Sequence, residues 1–318
     1  MISKKEFFAK IDVDNWKNQE GRKKNSFWAS DCLRPSCDIY WKWIDEPETN
    51  PMKPQTVFAL DVRKQYEVAL VRRLENMGEL VKLDDEQRIA DLGLTVKNDQ
   101  FRIEMEREFV PITGYMDAVH VSGIPVEVKT HYIPGVDKKL DTGHPPSEHY
   151  CHQLAVYMDY MGVDKGILAQ GNIISGDIWF MEMEHLGDLV FKIRDYVFDL
   201  EIEYKRWRRI MENNIHQRRE PDLQYFYRPE LTKELLKLYP EDKIKKAIKG
   251  DRVLSDHKWR YQYSSYKDKV IEKEAQMKGV SVDDLCRYTP VEIQYMMDFL
   301  GVEWKDTKRG MQLYKKKG

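Results

Sequence analysis

The spacing of apolar residues predicts both helices and strands in the first two thirds of the chain. Residues 61–80 carry an apolar stripe at helical spacing, formed by Tyr66, Leu70, Leu74 and Met77. Other stretches alternate apolar and polar residues, as half-buried strands do. These stretches are 101–109, 114–121 and 124–130, and two more short strands are predicted at 166–170 and 177–184.

A helix is predicted between these two groups of strands. Two prolines precede it, Ser147 is in position to act as its N-cap, and Gly162 ends it, so that the helix lies within 145–162. A second, longer helix is predicted at roughly 187–212. The order of these elements indicates an α/β fold with a mixed sheet flanked by helices.

The strand pattern ends near residue 220, where we predict a domain boundary. Residues 1–220 would form the core, including an irregular N-terminal segment at 27–58, and residues 221–318 a helical C-terminal region. The last forty residues have a helix–turn–helix pattern with a basic end, which we interpret as a helical cap on the core rather than a DNA-binding module.

Composition excludes some classes of partner. The 52 basic residues nearly balance the 54 acidic ones, giving a net charge of −2, so a nucleic acid would have to be held by local basic runs rather than a global field. No apolar run reaches membrane-spanning length, and the N-terminus lacks an apolar export signal. With four cysteines and no C-x-x-C pair, these features predict a reduced, cytoplasmic protein without a membrane partner.

The stretch "GYMDAVHVSGIPVEVKT" at 114–130 carries the candidate chemistry. Glu127 and Lys129 are two positions apart on a predicted strand and project from the same face. An isolated pair of this kind is more often an exposed ion pair of little consequence. Asp117 joins them on one face only if the intervening turn has an odd length or a bulge, because a one-residue slip reverses every side chain. A turn at Ser122–Gly123–Ile124 would place Asp117 opposite Lys129.

Two neighbouring carboxylates favour a hard divalent cation, Mg²⁺ or Mn²⁺. A lysine beside them can stabilise developing phosphoryl charge or help to deprotonate water. The stretch therefore predicts metal-assisted hydrolysis of a phosphodiester. Histidines are also frequent between residues 120 and 152, but they lack the spacing of a structural zinc site.

Three motifs in order resemble the PD-(D/E)XK nucleases, and specifically their RecB-like branch of CRISPR-associated and phage exonucleases. They are G-x-x-D at Gly114–Asp117, E-x-K at Glu127–Lys129 and Q-x-x-x-Y at Gln153–Tyr157, and the likeness covers roughly residues 28–212. The resemblance implies a restriction-endonuclease-like mixed central sheet flanked by helices, with the helical C-terminal region outside it.

The resemblance also implies roles for individual residues. Asp117 and Glu127 would bind metal, joined by the main-chain carbonyl of Val128, and Lys129 would act as base or charge stabiliser. Gln153 and Tyr157 would lie at the rim of the active site on the DNA. Two further positions match the branch: Glu67 on the upstream helix as a third carboxylate ligand, and His149, four positions before Gln153, as a DNA contact.

The chain departs from many RecB-like relatives at the cysteines that hold an iron–sulfur cluster. Where the late cysteines would stand, this chain has Tyr261, Ser264 and Val270; Cys32 matches the early ligand and Cys286 is isolated. We therefore expect no iron–sulfur cluster, and a C-terminal region held by ordinary packing.

These expectations combine into a function. The sequence predicts a Mg²⁺- or Mn²⁺-dependent deoxyribonuclease, specifically an exonuclease acting on single- or double-stranded DNA ends in recombination, repair or phage DNA processing, in a bacterial or phage-infected cytoplasm. A homo-oligomer or a recombination or replication partner protein is compatible with it. The alternatives are a structure-specific or nicking endonuclease on the same core, and a catalytically inactive DNA-binding subunit.

Overall fold

A computed structural model describes most of the chain. The described residues are 8–11, 25–50, 52–132, 135–221, 231, 233–237, 239–250, 264–276, 287–307 and 310–316. Tyr261 and Cys286 lie outside them.

Ten α-helices lie in the described part of the chain. In chain order, α1 to α10 are Ser36–Trp43, Pro54–Asn76, Glu86–Asp91, Val136–Asp141, Glu148–Met161, Glu201–Arg209, Lys233–Lys237, Glu241–Ile248, Lys267–Gln276 and Pro290–Leu300. A short 3₁₀ helix at Ala29–Asp31 precedes α1, and a π-helical turn at Ile210–Ile215 follows α6.

Twelve strands accompany these helices. In chain order, β1 to β12 are Phe27–Trp28, Thr95–Lys97, Gln100–Arg107, Val110–Met116, Ala118–Val119, Pro125–His131, Lys165–Asn172, Ile178–Gly187, Val190–Ile193, Tyr196–Asp199, Val302–Thr307 and Gly310–Lys315.

The strands form mixed sheets, as predicted. The largest has the order β10-β9-β8-β7-β6-β5, in which β6 and β7 are parallel and the other pairs antiparallel. A second sheet has the order β1-β4-β3-β2, with β1 parallel to β4. The mixed α/β class, with sheets flanked by helices, is confirmed.

Helices cover the two faces of β6 and β7. On one face, Leu70 of α2 belongs to an apolar cluster with Val126 and Val128. On the other face, Leu154 and Met158 of α5 pack directly over Gly166 of β7. Because side chains alternate along a strand, Glu127, Lys129 and His131 project toward the α5 side and the intervening residues toward α2.

Two predicted helical segments are strands instead. The helix expected at 187–212 is wrong in its first half, since β9 and β10 form an antiparallel hairpin there and α6 begins only at Glu201. The second half of the predicted C-terminal helix–turn–helix is also wrong. After α10, the chain forms the β11–β12 hairpin, with Val302 opposite Lys315.

The chain divides into two compact units. The first contains residues 1–33 and 51–211, with both larger sheets, and the second contains residues 34–50 and 212–318. The boundary we predicted at residue 220 stays a prediction. In the second unit, α8 and α10 share an apolar cluster that includes Ile244, Met296 and Val302.

Two positions matched from the sequence to cluster cysteines, Ser264 and Val270, lie in the second unit and are buried. Val270 is fully buried, and the Ser264 hydroxyl donates a hydrogen bond to Asp38 Oδ1 at 2.8 Å. The Tyr266 amide donates in turn to Ser264 Oγ. Ordinary packing and hydrogen bonding therefore surround both positions. Cys32, the match to the early ligand, is a buried free thiol in the first unit.

None of the helices in the described ranges has both the length and the apolar composition that a membrane span requires.

Candidate active site

The turn between β5 and β6 has an odd length, which confirms the prediction made from the sequence. It comprises residues 121–123, closed by a hydrogen bond from the His120 amide to the Ile124 carbonyl, and Gly123 adopts φ +88°. Ala118 pairs with Val126, so that Asp117 lies opposite Glu127 rather than opposite Lys129 as we predicted. The turn begins one residue earlier than expected, which shifts the register by two and leaves the face unchanged.

Asp117, Glu127 and Lys129 come together beside this hairpin. The Lys129 ammonium forms an ion pair with Glu127 Oε1 and lies 3.9 Å from Asp117 Oδ2. Glu127 is completely buried, whereas the Lys129 side chain is 20% exposed. Apart from this ion pair, neither carboxylate oxygen of Glu127 has a hydrogen-bond partner in the described part of the chain. A buried acid with so few partners is not the exposed surface pair that an isolated E-x-K usually forms.

Asp117 is held by two hydrogen bonds. Its Oδ2 accepts from the Val128 amide at 2.9 Å, and its Oδ1 accepts from Gln100 Nε2 at 2.7 Å. Gln100 begins β3, which pairs with β4 on the approach to Asp117. Sequence reasoning missed Gln100, because a single glutamine in an alternating strand carries no signal of its own.

Burial and charge shift the acid–base properties of the buried pair. Burial in the sheet and the nearby Asp117 carboxylate raise the pKa of Glu127 to about 8, although Lys129 opposes them. Burial lowers the pKa of Lys129, but the carboxylates of Glu127, Asp117 and Glu67 outweigh it and raise the pKa overall. Lys129 is therefore an ammonium at neutral pH.

Glu67 lies near this group but is engaged separately. It is on α2, and its Oε1 accepts a hydrogen bond from Thr130 Oγ1 at 3.0 Å. Burial raises the pKa of Glu67, an effect that Lys129 opposes. Among the described residues, no three His, Cys, Asp or Glu side chains are placed together to hold a metal ion. The role of Glu67 as third ligand stays a prediction.

Gln153 and Tyr157 are buried, not at a rim. They are 6% and 1% exposed on α5, and Gln153 Nε2 donates a hydrogen bond to the Tyr157 hydroxyl at 2.8 Å. That hydroxyl donates to the Tyr115 carbonyl at 2.7 Å, two residues before Asp117. The resemblance implies that Gln153 and Tyr157 lie at the rim of the site. They are buried instead, because residues four apart share one face of α5, and this face packs on β4. They tie the helix to the strand that leads into Asp117.

His149 is half-buried at the start of α5. Its Nδ1 lies 2.9 Å from the Cys32 carbonyl, and its ring contacts that of Tyr150. The Tyr150 ring lies 5.6 Å from the Lys129 ammonium. The α5 N-terminus thus borders the candidate site, and the role of His149 as a DNA contact stays a prediction.

The donor set suits a hard divalent cation. Asp117 and Glu127 supply carboxylate oxygens, and the buried Oε2 of Glu127, which has no partner within the described residues, is available to a cation. Mg²⁺ commonly uses one or two carboxylates and keeps water in its other positions, so two such ligands suffice. The Val128 carbonyl lies between them in sequence, and its part as a ligand stays a prediction.

Comparison with known proteins gives little further information. No protein-family model matches the chain, and no curated protein matches it. Among solved structures, the crystal structure of SSO0001 has a TM-score of 0.40 and 14% identity, covering 70% of this chain and 91% of that one. An alkaline exonuclease (LHK-Exo) from Laribacter hongkongensis has a TM-score of 0.30 and 13% identity, covering 64% and 95%. Similarities this low do not assign a function to the chain.

Proposed function

We propose that this chain is a nuclease that hydrolyses phosphodiester bonds in DNA with the help of Mg²⁺ or Mn²⁺. In its narrower form, the proposal is an exonuclease acting in recombination, repair or phage DNA processing, as the RecB-like motifs imply. The observation that carries it is the Glu127 carboxylate, which is completely buried beside Asp117 and has the Lys129 ion pair at Oε1 as its one polar contact within the described residues.

A purely structural role explains this arrangement poorly. Taking a carboxylate out of water costs several kcal/mol, which a single ion pair offsets only when the remaining lone pairs are also satisfied. Those of Glu127 are not, and Asp117 adds a second negative charge nearby. Buried, incompletely paired acids with a shifted pKa are typical of functional sites.

Each residue then has a distinct task. Asp117 and Glu127 would hold the cation, and Gln100 and the Val128 amide fix the orientation of Asp117. A cation bound there supplies charge neutralisation at the phosphate and lowers the pKa of water. Lys129, whose pKa the neighbouring carboxylates raise, would stabilise negative charge that develops on the phosphoryl oxygens, and we propose this role for it rather than that of a base.

The deciding experiment is cleavage of end-labelled linear DNA, single- and double-stranded, alongside closed circular DNA, with Mg²⁺, Mn²⁺ or EDTA. Lys129→Ala tests the site. Lys165→Ala is the matched control, because Lys165 also pairs with a glutamate, Glu182, at 2.8 Å, but both side chains are about half exposed. We expect metal-dependent loss of linear DNA that Lys129→Ala abolishes and Lys165→Ala retains.

Other outcomes separate the alternatives. Cutting of the closed circle would assign a structure-specific or nicking endonuclease instead. DNA binding without cleavage of any substrate would favour the inactive DNA-binding subunit. A protein that neither binds nor cleaves any of these DNA substrates would overturn the proposal.

A further inference from the structure

Helix α2 makes two successive side-chain contacts along β6, the second of them with the residue that directly follows the strand. In the first, Glu67 accepts the hydrogen bond from Thr130. In the second, the Arg63 guanidinium lies over the Tyr132 ring, 4.5 Å from its centroid. Arg63 and Glu67 are four residues apart on the helix, about 6 Å. Thr130 and Tyr132 are two residues apart along the strand direction, about 6.6 Å. The Arg63–Tyr132 contact therefore lies on the α2 side of the sheet, next to the Glu67–Thr130 contact, and Glu67 is close enough to Lys129 and Asp117 for their charges to act on its pKa.

Arg63 and Tyr132 make few contacts with the rest of the described chain beyond the contact with each other. Tyr132 is 48% exposed, although the residues of β6, which directly precedes it, are almost all buried. The Nε of Arg63 is buried without a hydrogen-bond partner. No carboxylate engages this guanidinium in the described part of the chain, even though Glu67 lies one helical turn away.

We propose that Arg63 and Tyr132 form a binding site for one nucleotide of a single DNA strand, next to the phosphodiester bond that the active site cleaves. This inference rests on the proposed nuclease function and names the substrate class of that site. The free face of Tyr132 stacks on an unpaired base, and Arg63, packed behind the ring, binds the phosphate of the same strand.

The chemistry of the pair suits this ligand. A phenol ring stacks on any base regardless of sequence, and only an unpaired base can present its face to it. An arginine packed on an aromatic ring keeps its charge and its forked donors, which match phosphate oxygens. The positive charge of Arg63 would also offset the acids of the neighbouring site as the phosphate chain approaches.

The test measures DNA binding without cleavage. Fluorescence anisotropy of a labelled oligothymidylate in EDTA gives the dissociation constant over a range of salt concentrations for the parent, Tyr132→Ala, Tyr132→Phe and Arg63→Ala proteins. Tyr132→Ala should weaken binding roughly 5- to 150-fold with an unchanged salt slope, as loss of one stacked base does. Tyr132→Phe should bind like the parent, and Arg63→Ala should reduce the salt slope by about 0.7, as loss of one phosphate contact does.

Two further measurements keep the result interpretable. Phe109→Ala is the matched control, because Phe109 is 77% exposed at the β3–β4 turn, and it should leave affinity unchanged. An abasic oligomer of the same length should bind the parent less tightly than oligothymidylate does. Tyr132→Ala should reduce the affinity for this abasic oligomer less than it reduces the affinity for oligothymidylate. If Tyr132→Ala binds DNA as tightly as the parent, the inference is overturned. The nuclease proposal would still stand if the parent shows metal-dependent cleavage. A parent protein that neither binds nor cleaves DNA would overturn both.

Discussion

Gln100 donates a hydrogen bond to Asp117 Oδ1 at 2.7 Å, from a neighbouring strand pair and 17 residues earlier in the chain. The other oxygen of the same carboxylate accepts from the Val128 amide. One bond to each oxygen fixes the plane of the carboxylate, and each oxygen keeps a lone pair for a cation. Gln100 is therefore a positioning residue for a candidate metal ligand.

Replacing Gln100 by alanine should weaken metal binding more than it weakens the fold. Partners that orient a metal ligand typically contribute tenfold to 100-fold in metal affinity or activity. We expect a loss of that size in Mn²⁺ affinity, measured by calorimetry, with a matching rise in the Mn²⁺ concentration needed for half-maximal DNA cleavage.

Gln87 supplies the control for this variant. Its Nε2 donates to Asp91 Oδ1 at 2.8 Å, the same kind of contact, but it lies exposed on α3. Gln87→Ala should leave Mn²⁺ affinity and cleavage unchanged. Equal Mn²⁺ affinity for Gln100→Ala and the parent would show that Asp117 does not need this orientation.

Glu127→Gln should abolish cleavage and change how stability depends on pH. The folded pKa of Glu127, about 8, lies above its usual value of 4.5, so the metal-free folded state binds the extra proton. Stability from this group is complete below pH 4.5 and is lost as pH rises toward 8, by at most about 1.4 kcal/mol per pH unit. Glutamine carries no such proton, so the variant should lose less stability over that window.

Urea denaturation in EDTA at several pH values measures this difference. Glu182→Gln is the control, since Glu182 is half exposed, and it should follow the parent curve. Adding Mn²⁺ at high pH should stabilise the parent and not Glu127→Gln, because a ligand that binds only the folded state stabilises it. Parallel curves for the parent and Glu127→Gln would contradict an elevated pKa at this position.

The candidate site could be predicted from the sequence where it depends on local pattern. Glu127 and Lys129 share a face because they are two residues apart on one strand, and Asp117 joins them because the turn is short and odd. Both facts involve fewer than fifteen consecutive residues. Gln100, by contrast, reaches Asp117 only through the pairing of β3 with β4, which local pattern does not specify.

The strands mistaken for a helix at 187–212 have a physical explanation. The turn between β9 and β10 places Arg194 at φ +54°, and the turn before β9 places Asp188 at φ +48°. The turn before β9 carries the usual markers of left-handed positions, since Gly187 has φ +109° and precedes an aspartate, but Arg194 is not a residue that marks such a position. Without a marker at the β9–β10 turn, the apolar residues between the turns also fit helical spacing.

Gly114→Ala should destabilise the fold, because the atoms packed around Gly114 leave no room for a side chain. This packing accounts for the glycine of the G-x-x-D motif. An added Cβ would lie 2.9 Å from Tyr157 Cε1 and 3.1 Å from Ala29 Cβ, closer than such atoms pack. Overpacking of this kind costs about 1–3 kcal/mol. Urea denaturation should detect it.

Gly166→Ala is the comparison for that variant. Its Cβ would meet Met158 Sδ at 2.8 Å, and an unbranched methionine can rotate away. The loss should therefore be smaller than for Gly114→Ala. An equal or larger loss at Gly166 would show that the rigid contact between Tyr157 and β4 does not determine the requirement for glycine.

Tyr157→Phe should reduce stability rather than DNA contact. The Tyr157 hydroxyl donates to the Tyr115 carbonyl and accepts from Gln153, so its removal leaves both partners without this bond in a buried setting. Leaving such groups unpaired costs about 1–3 kcal/mol, which urea denaturation should measure. Tyr160→Phe on the same helix is the control, because the Tyr160 hydroxyl makes no hydrogen bond within the described residues, and it should be neutral. A Tyr157→Phe protein with parent stability but weaker DNA binding would instead place this hydroxyl in contact with the substrate, as the motif resemblance implies.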